Sequence, residues 1–373
     1  MTKRLTRRKM LAGIALATPF AASFAGAAPR PGTAPLKAPV GVDTYTLRAF
    51  GWDAFQMLDY ASRIKLDVVQ FSEFPHLGAY KIATTESYQQ KVRARADELE
   101  IRLEMGTWGV CPTNLGGNRR YGTAEEQLTL AINAAVVLGS KSVRCVMGSG
   151  NLRRKDGPLE RHIEAMIGAF RNVRNRALDA GVKLALENHK DLRATEMLDL
   201  VETAGKDYVG CCLDTGNPME VLEDPMDTVE ILAPVVVTSH FRDSSLWKHP
   251  RGAAFQWTAM GDGSVRIGEV VKRFVELCPG IPINLEIITG RPAKVLPYRE
   301  PGFWKGFEKL TGEELIRFDE LAAKGEPLLA GMVVPNNDPK NPAYQEAVKE
   351  QMRVDFERSL RFLRDEVGIV SSA

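Results

Sequence analysis

The chain has 373 residues, 44% hydrophobic and 26% charged, with 49 Lys and Arg against 47 Asp and Glu. A net charge of +2 gives no support to a general polyanion binder, and the length allows one large core or two small ones. The five cysteines (Cys111, Cys145, Cys211, Cys212, Cys278) mostly lie in or beside apolar runs and read as buried small side chains rather than a disulfide framework or zinc cage.

The N-terminus reads as an export signal. MTKRLTRRKM is basic, LAGIALATPFAASFAGA is uncharged, and Ala25-Gly26-Ala27 fits a small-x-small cleavage site. Arg7-Arg8 just before the apolar run makes the pattern that of the twin-arginine pathway, so the expectation is a periplasmic or secreted protein. An uncleaved anchor is the alternative, but the run is rich in Ala and Gly and broken by Pro19. Beyond residue 27 the chain carries 44 basic against 47 acidic residues, a net of −3. No later stretch is apolar enough to span a bilayer, so neither stable membrane insertion after cleavage nor nucleic-acid binding is expected.

After a Pro-rich linker at 28–39, short apolar runs alternate with longer amphipathic ones through a single domain, 40–373. The pattern predicts eight strands, at 40–47, 66–73, 101–109, 142–148, 183–189, 209–217, 235–243 and 283–290. Helical stretches such as AFQMLDYASRI, AEEQLTLAINAAVVLG and ATEMLDLVETAG separate them, several closed by a Gly cap. Eight strand–helix units predict an α/β fold, a parallel (β/α)₈ TIM barrel. An open doubly wound sheet is the alternative, but no Gly-rich phosphate loop follows the first strand. Residues 291–340 read as an insertion after strand eight, placed over or beside the mouth, and YQEAVKEQMRVDFERSLRFLRDEV as the closing helix.

Strands five to eight each end in a side chain that can ligate a metal: Glu187, Asp214, His240 and Glu286, spaced by 27, 26 and 46 residues. In a closed barrel these positions converge on one mouth. Three carboxylates and an imidazole form a mostly oxygen site for one divalent ion, Mn²⁺ first, with Mg²⁺, Co²⁺ or Zn²⁺ also accommodated. Singly, each would more often be a structural hydrogen-bonder. Met260-Gly261-Asp262-Gly263-Ser264 resembles a phosphate loop but precedes a helix, so a helix-entry turn is the better reading.

The stretches LENH, LDTGNP, SHFRD and LEI give residues 38–290 a resemblance to the xylose isomerase-like barrels, which include sugar-phosphate isomerases, ketose 3-epimerases and AP-endonuclease-type enzymes. The resemblance implies that Glu187, Asp214, His240 and Glu286 bind one divalent metal and that Glu187 and Glu286 also move protons. A proton next to a substrate carbonyl is removed on one face and returned on the other, giving isomerisation or epimerisation through a metal-stabilised enediolate. Loss of a β leaving group from the same intermediate makes the chain a lyase or hydratase on a 3-keto-glycoside. The ketose 3-epimerases carry a His where this chain has Asn217 and an Arg where it has Leu246, which weakens ordinary ketose 3-epimerisation.

His189, Asn217, Arg242 and Trp108 are the candidates for substrate contact. A hydrogen bond to a metal ligand, a salt bridge or plain packing are the structural alternatives. Tyr45, Phe71, Trp247 and Trp257 are weaker stacking candidates. An exported enzyme meets free sugars, oxidised sugars or glycosides, so the expected partner is a small sugar, keto-sugar or glycoside. A non-catalytic sugar-binding protein is a minor alternative. AP-endonuclease chemistry needs more histidines than the five present. Related barrels form dimers or tetramers, which makes a homo-oligomer an open expectation.

Overall fold

The computed structural model describes residues 36–114, 120–148, 152–154, 157–328 and 341–371. The leader expected over 1–27, most of the linker and the end of the insertion lie outside the described residues. Eight parallel strands form one sheet: β1 (Val40–Asp43), β2 (Val68–Phe71), β3 (Arg102–Gly109), β4 (Ser142–Val146), β5 (Lys183–Glu187), β6 (Val209–Asp214), β7 (Val236–His240) and β8 (Ile283–Leu285). They pair in chain order, and β8 pairs back onto β1. Between β7 and β8 the ring closes through a parallel bridge of Phe241 with Leu285, where the Phe241 amide donates to Asn284 O at 2.8 Å and the Glu286 amide to Phe241 O at 3.0 Å. The fold is a (β/α)₈ barrel. Its strands are buried on both faces, which is why they read as near-continuous apolar runs rather than alternating ones.

Helices α1 (Ala54–Arg63), α2 (Glu86–Glu98), α3 (Ala124–Leu138), α4 (Leu159–Asn172), α5 (Ala194–Ala204), α6 (Pro225–Leu232), α7 (Ile267–Leu277) and α8 (Pro342–Arg361) pack around the ring. Local chemistry sets their ends. Asp53 with Gln56 and Thr123 with Glu126 form capping boxes at α1 and α3, and Gly139 closes α3 in the left-handed conformation. Pro342 opens α8 under the Asn341 cap.

All eight strands are shorter than the sequence suggests, β8 most of all. β1 stops at Asp43 because that carboxylate accepts the Tyr45 amide at 2.8 Å and turns the chain into a 3₁₀ segment, Thr44–Phe50. β8 ends at Leu285, one residue before Glu286.

The larger departure lies between β7 and β8. Strands Asp243–His249 and Gly252–Thr258 form a hairpin, and Lys294–Leu296 from beyond β8 adds a third antiparallel strand. Helix Gly312–Lys324 covers this small sheet, and Leu246, Phe255, Leu296, Tyr298, Phe318 and Leu321 form a second core with Met219, Val221 and Leu222 from the loop after β6. The described part of the insertion is therefore fused with the hairpin into a cap on the C-terminal face of the barrel. Met260–Ser264 clamps the hairpin: the amides of Gly261 and Gly263 each donate to Asp243 Oδ2 at 3.0 Å, so they are not available for a phosphate. At the opposite face, Leu36–Lys37 pairs in parallel with Ile369–Val370. Among the described residues no helix is long and apolar enough to cross a membrane.

Candidate metal centre

Each of the last four strands delivers one donor to the mouth. Glu187 and Asp214 end β5 and β6, His240 ends β7, and Glu286 follows β8. One ligand atom from each of the four lies within 4.8 Å of all the others, and all four residues are buried. His240 Nδ1 stands 3.3 Å from Glu187 Oε2, 3.4 Å from Glu286 Oε2 and 3.9 Å from Asp214 Oδ2.

The turn chemistry explains the motifs. Asn188 reaches across to β6, its amide donating to Asp214 O at 2.9 Å and its carbonyl accepting the Asp214 amide at 2.7 Å. Asp214 Oδ1 then accepts the amides of Gly216 at 2.7 Å and Asn217 at 2.9 Å, fixing the carboxylate over its own turn. Gly216 is required by space, since a Cβ there would lie 2.3 Å from Arg242 Nε.

A polar stack inside the barrel sets the orientation of His240. Glu104 Oε2 accepts from Gln70 Nε2 at 2.9 Å, Thr238 Oγ1 at 2.6 Å and Asn284 Nδ2 at 2.9 Å. With its amide nitrogen so committed, Gln70 turns Oε1 towards His240 Nε2, and the two are hydrogen-bonded. Oε1 only accepts, so Nε2 carries the proton and Nδ1 keeps its lone pair for the cluster.

Two buried guanidiniums hold the carboxylates. Arg144 donates from Nε to Glu187 Oε2 at 2.6 Å. Arg242 lies 2.7 Å from Asp214 Oδ2 and also pairs with Glu286. Asn217 ties the halves together, Nδ2 donating to Glu187 Oε1 and Oδ1 accepting from Arg242 Nη2, each at 2.9 Å. Asp43 joins from β1, its Oδ2 3.4 Å from His240 Nε2.

The proton affinities follow from this crowding. Burial works against ionisation of Glu187 and Glu286, but Arg144 and His240 for the first, and Arg242 and His240 for the second, hold both below the ordinary range. At Asp214 burial wins over Arg242 and lifts the carboxyl to about 7. Burial also opposes a charge on His240, yet Cys212 and then Glu286, Glu187 and Asp43 push its proton affinity well above that of a free imidazole. The cluster calls for positive charge at Nδ1.

A divalent ion fits that demand. His240 Nδ1 is buried without a hydrogen bond and faces Asp214 Oδ2, whose partner in the cluster is the Arg242 guanidinium at 2.7 Å. Four carboxylates, counting Asp43, surround two guanidiniums, so with His240 neutral and its Nδ1 lone pair free the ionised cluster carries a net charge of −2. Hard oxygen donors with one imidazole suit Mn²⁺, Mg²⁺ or a neighbouring divalent ion. Cys212 lies close enough to Glu187 and His240 to form a second candidate triad, but burial lifts its thiol to about 12, which favours the oxygen set.

The other expected residues are distributed as follows. Arg242 and Asn217 are buried and engaged with the carboxylates. His189 stands edge-on to Trp108 with centroids 5.6 Å apart; its Nδ1 has no hydrogen bond, and burial drops its proton affinity to about 3, so the ring is neutral. Tyr45 stacks on His76, and Phe71 lies in the core. Trp247 and Trp257 sit in the hairpin rather than at barrel-strand ends, and Trp257 returns to the mouth by donating from Nε1 to Gly216 O at 2.9 Å. Asp43, Gln70, Glu104 and Arg144 were not anticipated, although each is a polar or charged residue inside an apolar strand, the same signal that singled out Glu187.

A closed parallel barrel with acids and an imidazole gathered at its mouth defines a class: barrels that act on a small molecule held over the ends of their strands. Within it, the chain belongs to the xylose isomerase-like TIM barrel family, whose sequence model matches residues 47–306. A 3-oxo-isoapionate decarboxylase of Pectobacterium atrosepticum is 24% identical over 229 residues, 59% of this chain and 74% of that one. A D-psicose 3-epimerase crystallised in the presence of D-fructose superposes with a TM-score of 0.56 at 14% identity, covering 88% of this chain and 99% of that one. A xylose isomerase-like TIM barrel protein of Mycobacterium smegmatis in complex with magnesium gives 0.52 at 13%, covering 76% and 98%. The family and these neighbours include enzymes that act on sugars.

Proposed function

We propose that this protein is a divalent-metal-dependent isomerase or epimerase that removes and returns a proton next to a carbonyl on a free sugar or sugar derivative. The observation that carries the reading is the convergence of four donor atoms within 4.8 Å, with His240 Nδ1 unbonded at its centre. Glu187, Asp214, His240 and Glu286 would hold the ion, which when bound supplies positive charge to the substrate oxygens as the enediolate forms. Glu187 and Glu286 project from strands separated by two others in the ring and are both held ionised, hence in the proton-accepting form. In isomerisation the glutamate that takes the proton returns it to the neighbouring carbon; in epimerisation the second glutamate takes up a proton from solvent and delivers it from a different side, and the first releases its own. Arg144, Arg242 and Asn217 are positioning residues that fix the two glutamates. Trp108 and His189 form an aromatic edge against which a sugar ring can lie.

A second reading is a lyase or decarboxylase acting through the same intermediate, because loss of a proton, of carbon dioxide from a 3-oxo acid, or of a β leaving group all pass through an enolate or enediolate. The decarboxylase relative supports it, as does Leu246, which is buried in the cap core where the ketose 3-epimerases bring an Arg. The leader sequence supports export, so the substrate would be met outside the cytoplasm.

The test is metal analysis of the purified protein, followed by deuterium wash-in from D₂O over a panel of ketoses, keto-sugars and keto-glycosides. Metal-dependent label at a C–H carbon beside the carbonyl is the expected result, and Glu187→Gln and Glu286→Gln should each lower it at least about 100-fold. Release of an aglycone or carbon dioxide would favour the second reading. A metal-loaded protein that introduces no label and releases nothing would remove both.

A further inference from the structure

We infer that the mouth carries an anion subsite centred on Lys190, so that the substrate is a sugar acid: a keto-sugar bearing a carboxylate away from its reacting carbon. This rests on the reading of the site as a sugar-deprotonating centre and narrows its substrate class.

Lys190 lies three residues beyond Glu187, on the loop leaving β5. Its side chain is half-buried, and its ammonium sits over the Trp257 ring, 5.1 Å from the centroid. The same ring carries the Arg242 guanidinium at 4.7 Å, and Arg242 grips Asp214 and Glu286. Trp257 is held by its Nε1 bond to Gly216 O, so one fixed indole ties Lys190 to the catalytic cluster.

Among the described residues no carboxylate lies within ion-pair distance of Lys190. The charged groups around it are Arg242 after β7, Arg291 and Lys294 after β8, and Glu220 after β6. Glu220 is the one acid of the set, and it is already paired with Lys294. Arg291 is exposed and likewise has no carboxylate partner among the described residues. Burial and three neighbouring cations all disfavour the charged form of Lys190. An ammonium held part-buried and unpaired in such surroundings is the arrangement that a bound carboxylate completes, by a charge-assisted hydrogen bond shielded from water. The indole surface beneath it leaves the ammonium pre-placed, so little side-chain entropy is lost on binding.

The test uses the full metal-loaded protein and a matched, unreactive pair, D-gluconate and D-glucitol, titrated calorimetrically. Gluconate should bind at least tenfold more tightly, and Lys190→Met should remove most of that preference while leaving glucitol binding unchanged. Lys272→Gln, an exposed lysine on α7, is the control and should keep the preference. Equal binding of the two ligands, or a gluconate preference that survives Lys190→Met, overturns the inference. Thermal unfolding midpoints of the variants show whether folding is intact. Deuterium wash-in with D-fructose and D-fructuronate separates the two failures. Label in both sugars at similar rates leaves the deprotonation reading standing without the anion subsite, whereas label in neither, at any metal, removes the reading itself.

Discussion

Gln70 touches no carboxylate of the metal cluster, yet it decides which nitrogen of His240 can face them. Replacing it with Met keeps the volume and removes the acceptor, so Nδ1 and Nε2 compete for the proton. Metal affinity should fall about 10- to 100-fold with the barrel still folded, measured by competition with a chelator and by circular dichroism. An unchanged affinity would mean that the tautomer is set elsewhere. Asp243 offers a residue-scale test of pH. Burial raises its carboxyl from the ordinary 3.8 to about 7, although the Gly263, Ser244 and Gly261 amides work in the other direction. Its folded proton affinity exceeds the unfolded one, so its contribution to stability is complete below about pH 4 and is lost as pH rises through 7. The stability of the wild type relative to Asp243→Asn should decline between pH 4 and 7 by about 1 kcal/mol per pH unit, as read from urea unfolding at several pH values. At this scale the candidate ligands were legible because each stands at a strand end, one strand–helix unit after the last. Gln70 and Arg144 were not, because their meaning comes from partners 170 and 43 residues away.

The cap shows where reading by element fails. Residues 291–340 were expected as one insertion, but the described part shares a sheet with a hairpin that precedes β8. Antiparallel pairing of Ala253 with Leu296 leaves no periodic trace in either segment. The helix Gly312–Lys324 is signalled by its Thr311–Glu314 capping box, but not the surface it covers. Phe318 anchors that helix on the second core. Phe318→Ala should cost the cap about 3–5 kcal/mol. Amide exchange should quicken in 243–258 and 312–324 and hold steady in α3 and α5. Uniform loosening of the whole chain would show instead that cap and barrel unfold as one.

Across the whole molecule the barrel was the most legible feature, because eight repetitions of one unit reinforce a signal that is weak in any single strand. The net negative charge of the cluster makes the proposed metal a determinant of global stability. At a free Mn²⁺ concentration 100 times its dissociation constant, the folded state gains about 2.7 kcal/mol. The melting midpoint should therefore rise by roughly 5 °C over the chelator-treated protein, and Asp214→Asn should abolish most of the rise.

The parallel pairing of Leu36–Lys37 with Ile369–Val370 brings both described ends to the floor of the cylinder, away from the rim that carries the four candidate ligands. A resin, sensor surface or fusion partner tethered at either end would hold the molecule with its opening towards solution, so immobilisation should leave substrate access intact.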